Sequence, residues 1–207
     1  MRLFVLGATG KTGTALVEQG LTRGHEVTAF VRSAFREDRK SLRVVLGDPM
    51  DAIALAAELP GHDVVLSALG KRGLGTASVL SEGASATIEA MRATGLRRLL
   101  IVSSTLQDSN IGLLPRLFAR TLLRNVIKDQ RAMEELVTKS ELDWTVLRAA
   151  RLTTGALTGK YSVSDESGRG EFSDAAMSRK DLASMMLDCA ERGDYVKQTV
   201  RVCGGGS

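Results

Sequence analysis

The N-terminal stretch of residues 3–13, which reads LFVLGATGKTG, limits the possible folds of this chain more than any other segment. An apolar run leads to Gly7, two more glycines follow at three-residue spacing, and Ala15, Leu16 and Val17 open an amphipathic pattern. A buried strand, a glycine turn and a helix N-terminus in this order are typical of the first unit of a parallel α/β sheet.

Each glycine of this turn has a physical role. Gly7 permits a sharp reversal after the strand, Gly10 lets a phosphate approach the backbone, and Gly13 allows close packing of helix on strand. The free N–H groups of the first helical turn, at the positive end of the helix dipole, would then face a diphosphate. The alternative is a purely structural turn. We predict a dinucleotide site formed by Gly7, Thr9, Gly10, Lys11, Thr12 and Gly13.

A nucleoside-triphosphate loop is excluded by spacing. That motif needs a glycine five positions before Gly10, and this position is Val5.

The end of the second predicted strand, residues 26–31, indicates which dinucleotide is bound. Proteins that select NAD place an acidic residue there for the ribose 2′-hydroxyl, whereas a 2′-phosphate requires cations. This chain has Arg32 at the strand end, with Arg36, Arg39 and Lys40 following. We therefore predict NADP(H), with Arg32 on the 2′-phosphate and with Arg39 and Lys40 in a solvated loop.

The remaining pattern predicts a single domain over residues 1–207, a doubly wound Rossmann sheet with helices on both faces. A small substrate lid is expected at about residues 153–177. Ser178 is predicted to cap the final helix, with Asp181 at the third helical position. Residues 204–207 are predicted to form a flexible tail. Further strands are expected at 42–46, 63–70, 99–104, 142–148, 161–163 and 199–202, and helices at 11–22, 79–95 and 114–139.

Further candidate site residues follow the predicted strands, because ligands of such sheets bind at the carboxyl ends. Asp48 either contacts the adenine amino group or caps the next helix. Ser104 lies near the nicotinamide or caps the following segment. The candidates at the ends of the fourth, fifth and sixth strands are Leu69, Gly70, Ser103, Ser104, Ala150 and Arg151.

One basic stripe has two interpretations. Arg116, Arg120, Arg124 and Lys128 recur at four-residue spacing and share one helix face. They form a solvated face, or an electropositive wall for an anionic substrate or partner.

Composition restricts the remaining function classes. The net charge of +4 favours small anionic ligands without requiring nucleic acid. Two cysteines and two histidines do not support a disulfide framework or a metal site. No run approaches the ~18 apolar residues of a membrane span, and no signal peptide precedes the first strand. We expect a cytoplasmic protein with no metal, no nucleic acid and no membrane partner, and favour a monomer.

Five stretches along the chain form a recognisable set: GATGKTG at 7–13, Val31 with Arg32, Gly47 with Asp48, VLSEG at 79–83 and LTGKY at 157–161. In this order they resemble the biliverdin-IXβ reductase/flavin reductase group of the atypical short-chain dehydrogenases, close to the NmrA-like NADP-binding proteins.

The resemblance implies a role for each matching residue. It implies that Gly7, Thr9, Gly10 and Thr12 bind the diphosphate, Arg32 and Arg36 the 2′-phosphate, Asp48 the adenine, and that Leu69 and Gly70 face the cofactor. Ser104 falls beside the nicotinamide. Arg151 falls where the mammalian enzyme has a histidine, so the acceptor wall differs here.

The catalytic Tyr-x-x-x-Lys pair of ordinary short-chain dehydrogenases is missing, since neither Tyr161 nor Tyr195 has a lysine four residues later. Arg124, four residues before Lys128, occupies the corresponding place. Flavin reduction does not need this pair, because hydride passes from nicotinamide C4 to flavin N5 and solvent can supply the proton.

We therefore predict an NADPH-dependent reductase of flavin, biliverdin, a quinone or another planar acceptor, with flavin as substrate rather than prosthetic group. Ser104 would orient the nicotinamide. Arg151, with Lys71 or Arg72, would contact the anionic part of the acceptor. The alternatives are a non-catalytic NmrA-like NADP(H) sensor that acts through a protein partner, and a sugar epimerase.

Overall fold

The structure is a computed structural model that describes residues 1–33, 39–70, 78–105, 124–165 and 175–205. Its strands are β1 (Arg2–Leu6), β2 (Glu26–Val31), β3 (Leu42–Leu46), β4 (Val64–Ser67), β5 (Arg98–Ser104), β6 (Asp143–Ala149), β7 (Leu152–Thr153), β8 (Tyr161–Asp165), β9 (Met177–Ser178) and β10 (Gln198–Gly204). Its helices are α1 (Lys11–Thr22), α2 (Ala52–Glu58), α3 (Val79–Thr94), α4 (Arg124–Thr138) and α5 (Arg179–Arg192).

Eight strands form one sheet in the order β3-β2-β1-β4-β5-β6-β10-β8. All pairings are parallel except that of β8, which runs antiparallel to β10. Strands β7 and β9 pair separately. This topology confirms the predicted doubly wound α/β fold.

The central strands are apolar on both faces because helices cover both sides of the sheet. Leu3 and Val5 of β1 face a core that contains α1 and α5. Phe4 and Leu6 of the same strand face a second core with α2, α3 and α4. All four side chains are fully buried, as the alternation of side chains along a strand requires.

Strand β1 lies at the point where the strand order reverses, with β2 on one side and β4 on the other. After β1 the chain continues to β2 on one side, and after β4 it continues to β5 on the other side, so the two connections diverge. In open α/β sheets this divergence forms a crevice that binds ligands.

The predicted C-terminal tail was wrong for Gly204 and Gly205. Gly204 ends β10 and pairs with Tyr161, and the Gly205 N–H donates to the carbonyl of Lys160 at 3.1 Å. A Cβ on Gly204 would lie 2.5 Å from the carbonyl oxygen of Ala176. Glycine occurs there because two backbones approach closely, not because the chain is loose.

Some predicted features lie partly outside the described residues. These are positions 114–123 of the predicted long helix, positions 166–174 of the predicted lid, positions 206 and 207 of the predicted tail, Arg36, Lys71, Arg72, and Arg116 with Arg120 of the basic stripe. The described part of the lid region contains β7, β8 and β9. No described helix has both the length and the hydropathy needed to cross a membrane.

Candidate dinucleotide site

A crevice of about 630 Å³ lies beyond the carboxyl ends of β1, β2 and β4. It forms where the strand order reverses, the usual ligand position in this fold. Arg179, at the start of α5, also lines the crevice and was not predicted as a site residue. The predicted residues that line the crevice are Gly7, Thr9, Gly10, Lys11, Thr12, Arg32, Leu69 and Gly70.

The glycine turn brings strand, helix and neighbouring loop into close contact. Gly7 has a φ of +76°, and a Cβ there would lie 2.5 Å from the carbonyl oxygen of Ala68. A Cβ on Gly13 would lie 2.1 Å from the carbonyl oxygen of Gly7. Gly13 therefore packs against the backbone of the turn and is not among the residues that line the crevice.

The N-terminus of α1 has no side-chain cap. Its N-cap residue, Gly10, has an extended backbone and no side chain that could accept from the first-turn amides. The Gly10 N–H itself donates to the carbonyl of Gly7 at 2.9 Å, which closes the turn. The amides of the first helical turn and the positive end of the helix dipole thus face the crevice, an arrangement that suits an anion.

The charges around the crevice favour a phosphorylated ligand. The described residues that line it include three cations, Lys11, Arg32 and Arg179, and no carboxylate. Arg32 is exposed immediately after β2, where this fold positions the ribose discriminator. Glycine backbone, open amides and cations are the donor set that a dinucleotide diphosphate requires, so the residues present fit this cofactor.

Asp48 does not cap the next helix. Its carboxylate accepts from the Met50 N–H at 3.0 Å, whereas Asp51 caps α2 by accepting from Ile53 and Ala54, each at 3.0 Å. The helix begins at Ala52, too far along the chain for Asp48 to reach its first turn. The contact between Asp48 and adenine stays a prediction.

Ser103 belongs to a buried polar cluster on the α4 side of the sheet. Its hydroxyl hydrogen-bonds to the carboxylate of Glu134 and accepts from the side-chain amide of Gln130 at 2.9 Å. Glu134 also forms an ion pair with Arg148 of β6 at 2.7 Å. The cluster joins β5, β6 and α4 below the sheet edge. The pairing of Glu134 with Arg148 was missed, because nothing in the local sequence links α4 to β6.

The other candidates at the ends of β5 and β6 lie beside one another. Ser104 is opposite Ala149 in the register of β5 and β6. The Ala150 N–H donates to the carbonyl of Val202, and the Arg151 carbonyl accepts from Met177. Arg151 is exposed. The described lining of the crevice does not include these residues, so their contacts with nicotinamide or acceptor stay predictions.

Asp129 of α4 was also missed, although it holds the start of α3 next to the crevice. Its buried carboxylate accepts from the N–H groups of Leu80 and Ser81, each at 3.0 Å, and from the Ser81 hydroxyl at 2.6 Å. It therefore caps α3 from a different helix. Val79, the first residue of α3, lines the crevice.

The predicted cap of the final helix is confirmed. The Ser178 hydroxyl accepts from the Asp181 N–H at 3.0 Å and donates to its carboxylate at 2.7 Å. The same carboxylate accepts from the N–H groups of Thr158 and Gly159 at 2.7 and 2.8 Å. Burial alone would raise the pKa of Asp181, but these hydrogen bonds outweigh it, so the pKa lies below its usual 3.8.

The described part of the chain contains no group of three or more histidine, cysteine or acidic side chains placed to hold a metal ion.

Comparisons with known proteins agree with this geometry. Residues 7–192 match the sequence model of the NAD(P)H-binding family. An uncharacterized chloroplastic protein of Arabidopsis thaliana is 31% identical over 185 residues, which cover 80% of this chain and 64% of that protein. A 3-diazoavenalumate denitrifying reductase of Streptomyces is 37% identical over 115 residues, 50% of this chain and 38% of that protein. This chain thus spans less than two thirds of the length of either relative.

Among solved structures, a short-chain dehydrogenase/reductase of Veillonella parvula in complex with NADP has a TM-score of 0.84 at 19% identity, covering 99% of this chain and 95% of that one. A candidate NADH-flavin reductase of Streptococcus pneumoniae has a TM-score of 0.80 at 24% identity, covering 99% of each chain. These likenesses show the fold. The family is shown by the match over residues 7–192: the chain belongs to the NAD(P)H-binding family.

Proposed function

We propose that this protein is an NADPH-dependent reductase that delivers hydride to a flavin such as FMN or riboflavin, or to a similar planar acceptor such as biliverdin or a quinone. The observation that carries the proposal is the crevice beyond β1, β2 and β4, with its open α1 N-terminus and three cations. Such a site binds a phosphorylated dinucleotide and selects the 2′-phosphate form.

The residues have separate roles in this proposal. The amides of the glycine turn hold the diphosphate, and Arg32 pairs with the 2′-phosphate. Leu69 and Gly70 support the ribose where it crosses the end of β4. When bound, the nicotinamide supplies a hydride from its C4 position. Ser104 orients that ring, and Arg151 attracts the anionic part of the acceptor.

The positions of both tyrosines support an acceptor that needs no tyrosine acid. The Tyr161 hydroxyl donates to Asp188 at 2.7 Å, and burial together with this bond raises its pKa. Tyr195 precedes β10, at the amino-end edge of the sheet, opposite the crevice. Tyr161 is thus a weak proton donor, and Tyr195 lies at the edge of the sheet away from the crevice, whereas a flavin reduced at N5 takes its proton from solvent.

The names of two similar proteins give limited support for a reductase. The Streptomyces protein is named as a reductase, and the Streptococcus protein of the same fold is a candidate NADH-flavin reductase. Fold similarity alone does not fix an activity.

A second candidate is a sensor that binds NADP(H) without turnover and acts through a protein partner. The positions of Tyr161 and Tyr195 favour it equally, because a sensor also needs no acid. Turnover separates the two candidates.

The test is anaerobic NADPH oxidation by purified protein with free FMN as acceptor, repeated with NADH. The proposal requires turnover that prefers NADPH. Arg32→Ala should remove this preference, by about 10- to 100-fold in kcat/KM for NADPH. Arg39→Ala is the matched control, since it removes an exposed arginine from the same loop and should leave the preference unchanged.

Other outcomes would redirect the proposal. Tight NADPH binding without turnover on FMN, riboflavin, biliverdin or a quinone would favour the sensor. A preference for NADPH that survives Arg32→Ala would contradict the assignment of the 2′-phosphate to Arg32.

A further inference from the structure

Arg179 joins the crevice from a distant part of the chain. It is the first residue of α5, and it lines the same space as Gly10 and Lys11 at the start of α1. We infer that the Arg179 guanidinium binds the diphosphate of the dinucleotide, as a cation supplied by the final helix. This inference rests on the proposed dinucleotide site and adds a residue and a specific role to it.

The first turn of α5 is held firmly, which fixes the position from which Arg179 reaches the crevice. Ser178 and Asp181 cap the helix reciprocally. The side-chain amide of Gln19 in α1 donates to the carbonyl of Lys180 at 2.8 Å, and Arg23 forms an ion pair with Asp188 at 2.7 Å. Both contacts tie α5 to α1. The backbone of Arg179 is therefore fixed relative to the helix that carries the diphosphate site.

Within the described part of the chain, the Arg179 guanidinium forms no ion pair, whereas Arg23 and Arg148 are both paired with carboxylates. The residue is half-buried at the crevice wall, next to no lining carboxylate. A planar guanidinium can donate two parallel hydrogen bonds to phosphate oxygens, which the ammonium group of a lysine cannot do. An arginine at this position therefore suits a diphosphate better than a lysine would.

The sheet order separates the diphosphate from the 2′-phosphate. Arg32 follows β2, on one side of β1, where the 2′-phosphate is expected. Helix α5 contacts α1 and β5, so it approaches from the other side of β1. The α1 N-terminus, where the diphosphate binds, lies between these two approaches. Arg179 therefore contributes to binding of any dinucleotide, whereas Arg32 discriminates between NADPH and NADH.

The experiment compares the affinities of NADPH, NADH and ADP-ribose by isothermal titration calorimetry for wild type, Arg179→Gln and Arg179→Lys. All three ligands contain the diphosphate, and only NADPH has the 2′-phosphate. Arg179→Gln should weaken all three by the same factor, about 10- to 100-fold. Arg179→Lys should weaken the three affinities less, since it keeps the positive charge and loses only the paired hydrogen bonds of the guanidinium.

Lys180→Gln is the matched control. It removes the same charge from the neighbouring, exposed position, and should leave all three affinities within about twofold. A thermal unfolding curve without ligand checks that each variant is folded. If Arg179→Gln does not fold, Arg179→Lys and the ligand-induced rise in Tm carry the test.

The outcomes separate this inference from the proposed function. Wild-type affinities in Arg179→Gln would overturn the inference and leave the dinucleotide site intact. A loss confined to NADPH would also overturn it, because Arg179 would then read the 2′-phosphate. If wild-type protein binds neither NADPH nor NADH, the proposed function itself fails and the inference fails with it.

Discussion

The N-terminus of α1 differs from the N-termini of α2, α3 and α5. A side chain caps each of the latter three, namely Asp51 for α2, Asp129 for α3 and Ser178 for α5. At α1 the N-cap is Gly10, which offers no side chain. Every α-helix begins with four N–H groups that lack a partner inside the helix. Three of these helix starts are satisfied from within the protein, and α1 opens on a crevice.

This difference shows how the fold separates stability from binding. A capping side chain typically stabilises a helix by about 1 kcal/mol relative to alanine. Because α1 has no such side chain, its first-turn N–H groups stay available for a ligand in the free protein. A diphosphate would satisfy the same amides. Two of the capped helices instead hold walls of the crevice in place, since Val79 of α3 and Arg179 of α5 both line it.

The largest expected effect comes from Gly13→Ala, which adds a methyl group beneath the open terminus. The new Cβ would lie 2.1 Å from the Gly7 carbonyl oxygen, so the turn must shift. We expect a loss of about 3 kcal/mol in unfolding free energy and loss of NADPH binding, measured by urea denaturation and fluorescence titration.

Gly70→Ala serves as the control for this change. Its Cβ would meet no described atom within 4 Å, so the unfolding free energy should change by less than about 0.5 kcal/mol. If both changes destabilised the protein equally, the close contact of Gly13 with the Gly7 carbonyl would not be the cause of the destabilisation.

The next effect concerns a capped terminus. Asp129→Ala leaves the N–H groups of Leu80 and Ser81 and the Ser81 hydroxyl without their acceptor inside the protein. We expect a loss of about 2–3 kcal/mol in unfolding free energy. Asp129→Asn keeps one acceptor oxygen and should lose about half as much. An Asp129→Ala protein as stable as wild type would show that the cross-helix cap contributes nothing.

Gly10→Ser would turn the open terminus into a capped one. The backbone of Gly10 is extended, with φ −82° and ψ 161°, a conformation that serine adopts as an N-cap. Its hydroxyl would accept from the amides that the diphosphate needs. We expect NADPH affinity to fall about tenfold while the unfolding free energy changes by less than about 0.5 kcal/mol.

Asp51→Ala is the opposite change, made at α2. It should lower the unfolding free energy by about 1 kcal/mol and leave NADPH affinity unchanged.

Undiminished NADPH affinity in Gly10→Ser would contradict the idea that open amides bind the diphosphate.

The smallest effect is a pH dependence at the capped start of α5. The folded-state pKa of Asp181 lies below its usual 3.8, so its carboxylate stabilises the fold above that pH. The contribution declines as pH falls below 3.8 towards the folded-state pKa, because the unfolded chain then binds the proton first. The stability difference between wild type and Asp181→Asn, less than about 1 kcal/mol, should shrink over this range in acid urea titrations.

Local patterns predicted most of the secondary structure. Helix α1 and strands β2 and β3 have the predicted bounds, and Ser178 caps α5 as expected. The glycine turn was identified at its observed position. Such features depend on side-chain periodicity, backbone freedom and capping within a few residues, and all of these can be read from neighbouring positions.

The amino-acid sequence by itself therefore determined the α/β class, the glycine turn and the basic end of β2. Only the tertiary structure brought Asp129 to the start of α3, Glu134 to Arg148, and Arg179 to the crevice beside Lys11. It also paired Gly204 with Tyr161, where composition alone predicted a tail. The physical reason is that contacts between distant segments depend on strand order and on the face that each helix covers, which no local spacing encodes.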